Sequence, residues 1–342
     1  MNSVNNAEHP DQLAISDDYS GGLGKVVGSL MGPGQITVAG FAPTLQPIYW
    51  RARLDLLAGW IALLASLVPA LMGDLAGPIG WRLMATALSS VLTGYWIAYI
   101  ALFLHEGAHF GLAQDRRLND VLTNLFVGLL VCQDVQRYRP IHWQHHLNLG
   151  GTEDPECSYF NAFSLGFILR TLTGIQVLMV LATRRRFAVQ GRNTVARSFP
   201  AVAAAGIAMH AFFLSVLVAA SAYATAASWV VAVGLVFPFF GAMRQLLEHR
   251  REDADASIDY RLTPHGAYTR MFLAGPIGST FGGAGFRRHL LHHWLPQVSY
   301  TNYDALEAFL EQTELSGIMA ARRTSYFSTA CRLFSASHPR QA

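Results

Sequence analysis

LMATALSSVLTGYWIAYIALFLHEGAH, residues 83–109, joins a membrane-length apolar run directly to a pair of histidines. From Leu83 to Leu104 the run carries no charge, and about 20 apolar residues suffice for a helix to cross a bilayer. It ends in His105-Glu106-Gly107-Ala108-His109. Residues four apart lie on one face of a helix, so the two imidazoles point the same way from the end of the span.

Three further apolar runs flank this one, at Leu54–Met72, Phe199–Ala220 and Ala226–Met243. Gly73-Asp74 and Gly77-Pro78 form a turn between the first run and the second. The spacing predicts two transmembrane hairpins. Residues 121–131 are apolar but too short to cross, and 164–182 contain Arg170, so both are expected to be interfacial or re-entrant helices. An amphipathic helix is expected near 304–320.

Composition supports a membrane protein over the competing reading, a soluble helical bundle. Apolar residues make up 52% and charged residues 14%, against about 25% charged in soluble domains, too little for a full charged shell. A net charge of +3 lacks the concentrated basic excess of a nucleic-acid binder. Cys132, Cys157 and Cys331 give neither a disulfide framework nor zinc-finger spacing. Residues 1–20 are polar and acidic, unlike a signal peptide. Gly21-Gly22-Leu23-Gly24-Lys25 lacks phosphate-loop spacing and is read as turn sequence.

Arginines set the expected orientation. Arg51 and Arg53 precede the first run, Arg116 and Arg117 follow the second, Arg184–Arg186, Arg192 and Arg197 precede the third, and Arg244, Arg250 and Arg251 follow the fourth. The positive-inside rule then places both termini and all long loops in the cytoplasm. The expected architecture is all-α and integral to the membrane: four transmembrane helices in two hairpins with a cytoplasmic helical cap holding a metal site. Residues 1–50 are expected to be a cytoplasmic N-terminal tail, 51–305 the membrane domain and 306–342 a cytoplasmic C-terminal tail.

The thirteen histidines are clustered. His142, His145 and His146 form H-x-x-H-H, and His289, His292 and His293 form a second H-x-x-H-H. His249 follows the fourth run in Arg244-Gln245-Leu246-Leu247-Glu248-His249. Spacings of three and four put each box on one helix face, and neutral imidazole is a common ligand for iron and zinc. His210, inside the third run, is read as a buried hydrogen-bonding residue, and His9, His265 and His338 as surface residues. HEGAH also fits the H-E-x-x-H pattern of zinc proteases, with Glu106 as general base. An intramembrane zinc metalloprotease is therefore an alternative, but it leaves His249 and the six histidines of the other boxes without a purpose.

HEGAH, HWQHH and HLLHH as a set, with Gly151-Thr152-Glu153-Asp154-Pro155-Glu156 after the second box and Pro296 after the third, resemble the membrane fatty-acid desaturase and hydroxylase superfamily from about residue 50 to about 305. The resemblance implies a non-haem di-iron site held by His105, His109, His142, His145, His146, His289, His292 and His293. Some members carry a further histidine after the fourth span with a polar residue four positions earlier, which His249 and Gln245 match; the family often has asparagine where Gln245 stands. Asp154, Glu156, Glu106, Glu248 and Arg288 are candidates to orient the imidazoles.

The implied reaction uses dioxygen and two iron ions to desaturate a fatty-acyl chain, lipid or carrier-bound, with hydroxylation of a lipid or small metabolite as the alternative. No Rossmann fingerprint, ferredoxin-like cysteine cluster or fused haem domain is visible, so electrons are expected from a separate ferredoxin or cytochrome. Arg137, Arg139, Arg184–Arg186 and Arg250–Arg251 are candidates to dock that donor, or alternatively serve only as topology determinants.

Overall fold

A computed structural model describes residues 27–190 and 201–337 of the chain. The fold is almost wholly helical; among the described residues, the strands are two short parallel segments, Met271–Phe272 beside Arg323–Thr324. Four helical stretches are long and apolar enough to cross a membrane: Tyr49–Leu75, Ile79–Ala108, Ala201–Ala219 and Tyr223–His249. Leu54, Leu57, Ile61, Leu64, Leu88, Phe212 and Val216 on these stretches lie exposed. A helix in water turns such a face inward, so lipid is their solvent and the chain is an integral membrane protein.

Each expected apolar run lies within or overlaps one of these stretches. The second and fourth helices run on past their apolar segments, carrying His105 and His249 on their last turns. The two segments expected to be interfacial or re-entrant belong to sharply bent pairs: Arg116–Val131 meets Val135–Asn148 at 85°, and Leu165–Leu172 meets Ile175–Ala182 at 86°.

The chain divides into two compact units. The first comprises Tyr49–Trp143 and Phe163–Arg244 and contains the four apolar stretches up to Arg244. Polar contacts tie its helices together. Ser66 Oγ lies 2.8 Å from Thr93 Oγ1, and Ser89 Oγ accepts the Ala70 amide. Asp74 accepts the amides of Ala224 and Thr225 and the Thr225 hydroxyl, capping the helix that starts at Tyr223. His210 is half-buried and uses both ring nitrogens: Nδ1 accepts from Trp229 Nε1 at 3.1 Å, and Nε2 donates to the Leu130 carbonyl at 3.0 Å. It is the hydrogen-bonding residue expected.

The second unit comprises the described residues up to Ile48, Gln144–Ala162, and Gln245 onward. Its core joins Val27, Val38 and Ala42 to Leu290, Leu291, Leu306, Phe309, Leu310, Leu315 and Met319, with Phe41 stacked on Phe309 at 4.0 Å. The stretches set down as tails, 1–50 and 306–342, thus hold described segments that are folded parts of this unit. Each has too few apolar residues to look like a domain, and they bury their surface against one another. The amphipathic helix expected near 304–320 is two helices, Tyr303–Leu310 and Ser316–Ala321. His9 and His338 lie outside the described residues.

Candidate metal centre

In the first unit the helix carrying HEGAH ends at Ala108, and Phe110 follows in a left-handed conformation. Arg139 secures this end. Its Nε donates to the Ala108 carbonyl at 2.9 Å, one terminal nitrogen donates to the Gly107 carbonyl at 3.1 Å and to Asp120 at 2.5 Å, and its guanidinium lies over the Phe110 ring. Asn119 adds a second donor to the Gly107 carbonyl. A side chain at Gly107 would collide with Thr123, so glycine permits that close approach. Asp134 caps the helix Val135–Asn148 by accepting the Gln136 and Arg137 amides, and that helix carries His142. The three histidines of this unit converge: His142 Nε2 lies 2.9 Å from His109 Nε2, and the His105 ring packs on both. His142 Nδ1 faces the Tyr138 hydroxyl at 3.4 Å.

The second unit gathers the other six. His145 and His146 stand on the last turn of the helix Val135–Asn148, His249 on the last turn of its helix, and His289, His292 and His293 on His289–Trp294. His289 Nε2 lies 3.0 Å from His249 Nε2 and 3.2 Å from His293 Nε2, and His292 Nε2 lies 2.9 Å from His146 Nε2. One ligand atom from each of His145, His249 and His293 falls within 4.8 Å of the others. All six histidines are buried.

The opposite ring nitrogens of three of them, His145, His249 and His292, face polar groups from behind. His145 Nδ1 donates to Asp154, 2.9 Å from both carboxylate oxygens. Asp154 also accepts the Tyr159 hydroxyl at 2.6 Å and the Glu156 amide. Burial, then Asp154, pushes the Tyr159 phenol well up, which keeps it a donor. His249 Nδ1 donates to the Tyr268 carbonyl at 3.2 Å, and His292 Nδ1 faces the Tyr303 hydroxyl at 3.2 Å. Gln245 accepts the Ser158 amide and donates to Glu156, anchoring the loop after the second box.

This arrangement fits a metal. A neutral imidazole that donates through Nδ1 has its lone pair on Nε2. Two such nitrogens bound to one ion at about 2.1 Å and at right angles stand about 3.0 Å apart, and the Nε2–Nε2 separations match that. Burial, then the imidazoles of His146, His289, His249 and His145, holds His293 well below its usual pKa, so it stays neutral and ready to bind.

Other residues singled out in the sequence have the following surroundings. Arg288 pairs with Asp304 and Glu307, joining the third-box helix to the one that follows. Glu106 is buried, with its carboxylate against Gly111. His265, expected at the surface, is buried: its ring packs against Tyr159, Phe160 and Tyr260 and its Nδ1 donates to the Gly266 carbonyl. Two of its aromatic partners, Tyr159 and Phe160, are more than a hundred residues away in sequence, so no local pattern revealed the burial. Arg250, a candidate either to dock a donor or to set topology, is also buried, donating to the Tyr159 and Phe160 carbonyls. Arg139 is held in the same way at the first box, and Arg184–Arg186 have side chains outside those described.

Arg270, Tyr138 and Tyr303 were not foreseen. Arg270 is fully buried and donates to the Leu247 and Arg250 carbonyls, capping the helix that carries His249. Its own carbonyl accepts the Leu290 amide at the start of the third-box helix. A buried arginine looks like a surface one in sequence; the tyrosines offered a faint signal, a phenol four residues before His142 and another just past the third box.

Bilayer-length helices and buried histidine clusters together define a histidine-rich integral membrane protein with candidate metal sites. A family model described as fatty acid desaturase matches residues 79–327, and the chain belongs to that family. No curated protein matches the chain. The matched residues include HEGAH, HWQHH and HLLHH.

Proposed function

We propose that the protein is an oxygen-dependent, di-iron fatty-acyl desaturase, acting on a lipid or carrier-bound chain and supplied with electrons by a separate ferredoxin or cytochrome. The observation that carries this is the set of imidazole Nε2 atoms about 3 Å apart, with Nδ1 atoms held by Asp154, Tyr268, Tyr303 and Tyr138. His105, His109, His142, His145, His146, His249, His289, His292 and His293 are the proposed ligands. When bound, two irons with dioxygen would supply the removal of hydrogen from an unactivated C–H bond.

The chain's own residues do the rest. Asp154 and the Tyr268 carbonyl fix the ring orientation and tautomer of His145 and His249. Arg139 and Asn119 hold the end of the first-box helix, and Gln245 and Glu156 hold the loop after the second. The burial of these groups excludes water from the histidines. Both termini are proposed to lie in the cytoplasm, in the inner membrane if the cell is bacterial.

The test is mass spectrometry of lipids and metabolites from cells with and without the protein, with iron measured in the purified chain. The expected result is a product 2 mass units lighter than its precursor, about two irons per chain, and loss of that product in His145→Ala and His292→Ala. A gain of 16 mass units would make the protein a hydroxylase. A single tight zinc with peptidase activity would overturn the reading.

A further inference from the structure

The carboxylates around the second unit's histidines take up two different positions. Asp154 stands behind the ring of His145, against Nδ1. That is where an orienting group belongs, because it leaves Nε2 free for a metal. Glu248 stands on the other side. Its Oε2 lies 4.0 Å from His289 Nε2, the nitrogen that itself faces the Nε2 atoms of His249 and His293. One ligand atom from each of Glu248, His249 and His289 lies within 4.8 Å of the others. Its second oxygen accepts the Tyr326 hydroxyl at 3.5 Å. The side chain is 3% exposed.

We propose that Glu248 is a metal ligand, a carboxylate donor to the ion held by His249 and His289. The proposal rests on reading those histidines as metal ligands. Its warrant is the side of the imidazoles from which the carboxylate approaches: an oxygen facing Nε2 atoms meets the same ion that they meet. Charge leads to the same conclusion. Imidazole ligands are neutral and leave a buried dication uncompensated, whereas a ligating carboxylate cancels one charge at contact. An anionic oxygen among nitrogens also moves the site's preference toward harder ions such as ferrous iron or manganese.

The experiment titrates full-length protein in detergent, stripped of metal by a chelator, with Co(II) as the probe. Stoichiometry, affinity and visible d–d absorption are read for wild type, Glu248→Gln and Glu248→Asp. Wild type should take two Co(II) per chain. Glu248→Gln should bind one of them at least about 10-fold more weakly, and its absorption should intensify as coordination number falls. Unchanged affinity and spectrum would overturn the proposal. Weaker binding with an unchanged spectrum would overturn it too, leaving Glu248 as a remote charge. If Glu248→Gln fails to fold by circular dichroism and size-exclusion elution, Glu248→Asp carries the comparison, since it keeps the charge and withdraws the oxygen by one methylene. Wild type taking no Co(II) would instead overturn the metal-centre reading itself.

Discussion

Replacing Arg139 with alanine tests whether this residue holds the first histidine box or meets a redox partner. Its side chain is 17% exposed and that of Asp120, its ion-pair partner, 12%. Removing one member of a well-buried pair costs about 3–5 kcal/mol. The lower end applies here, because Asp120 keeps hydrogen bonds from Asn119 and Gln136. The Ala108 carbonyl also loses its arginine donor, which adds about 1 kcal/mol, while the Gly107 carbonyl keeps Asn119. The sum is about 4 kcal/mol, or a fall on the order of 10 °C in unfolding midpoint. The assay is thermal unfolding of detergent-purified protein with metal content measured beside it. Arg139→Lys should recover part of the loss, since a lysine keeps the charge but cannot fork between two carbonyls and a carboxylate. Stability within about 0.5 kcal/mol of wild type, with activity falling only when turnover depends on an added donor protein, would refute this account and return Arg139 to a docking surface.

Two further outcomes follow from the second unit. Gly150 has φ +75°, and a Cβ there would overlap the backbone of Gly266, so Gly150→Ala should lose about 2 kcal/mol or more in denaturant unfolding; Gly317→Ala, in open space on a helix, should gain up to about 1 kcal/mol. Burial holds the His265 pKa at about 4, below its unfolded value of about 6.5. Its neutral form is the one that fits, so stability is complete above pH 6.5 and declines as pH falls from 6.5 to 4, by about 3 kcal/mol in all. Metal-stripped His265→Asn should show a shallower pH dependence over that window than metal-stripped wild type; parallel curves would count against the assignment.

The long apolar runs and the box spacings were legible because each is a local pattern: a stretch without charge, or imidazoles three and four residues apart. The bends were less so. Residues 121–131 announced themselves as too short to cross, yet nothing local fixed the 85° turn into the second-box helix. Leu306, Phe309 and Leu310 showed a helix period, but their partners Val27, Val38 and Ala42 sit at the other end of the chain. Arg139 and Arg250 misled, and Arg270 went unnoticed, for a different reason. Charge in a sequence suggests solvent, whereas these guanidiniums are the donors that satisfy carbonyls at helix and loop ends. Glu248, one of several acids named as orienting groups, could be separated from Asp154 only once the two faces of each ring were known.

The second unit is assembled from three stretches that lie far apart along the chain, and its six histidines come from two of them. A nascent chain that has just completed HWQHH holds His145 and His146 without His249, and one that has passed His249 still lacks HLLHH. The first unit's His105, His109 and His142 are present by then, but the second unit's donor set is complete only after His293 has emerged. On the proposed ligand set, the second unit's ion would find all its donors only once synthesis has passed HLLHH.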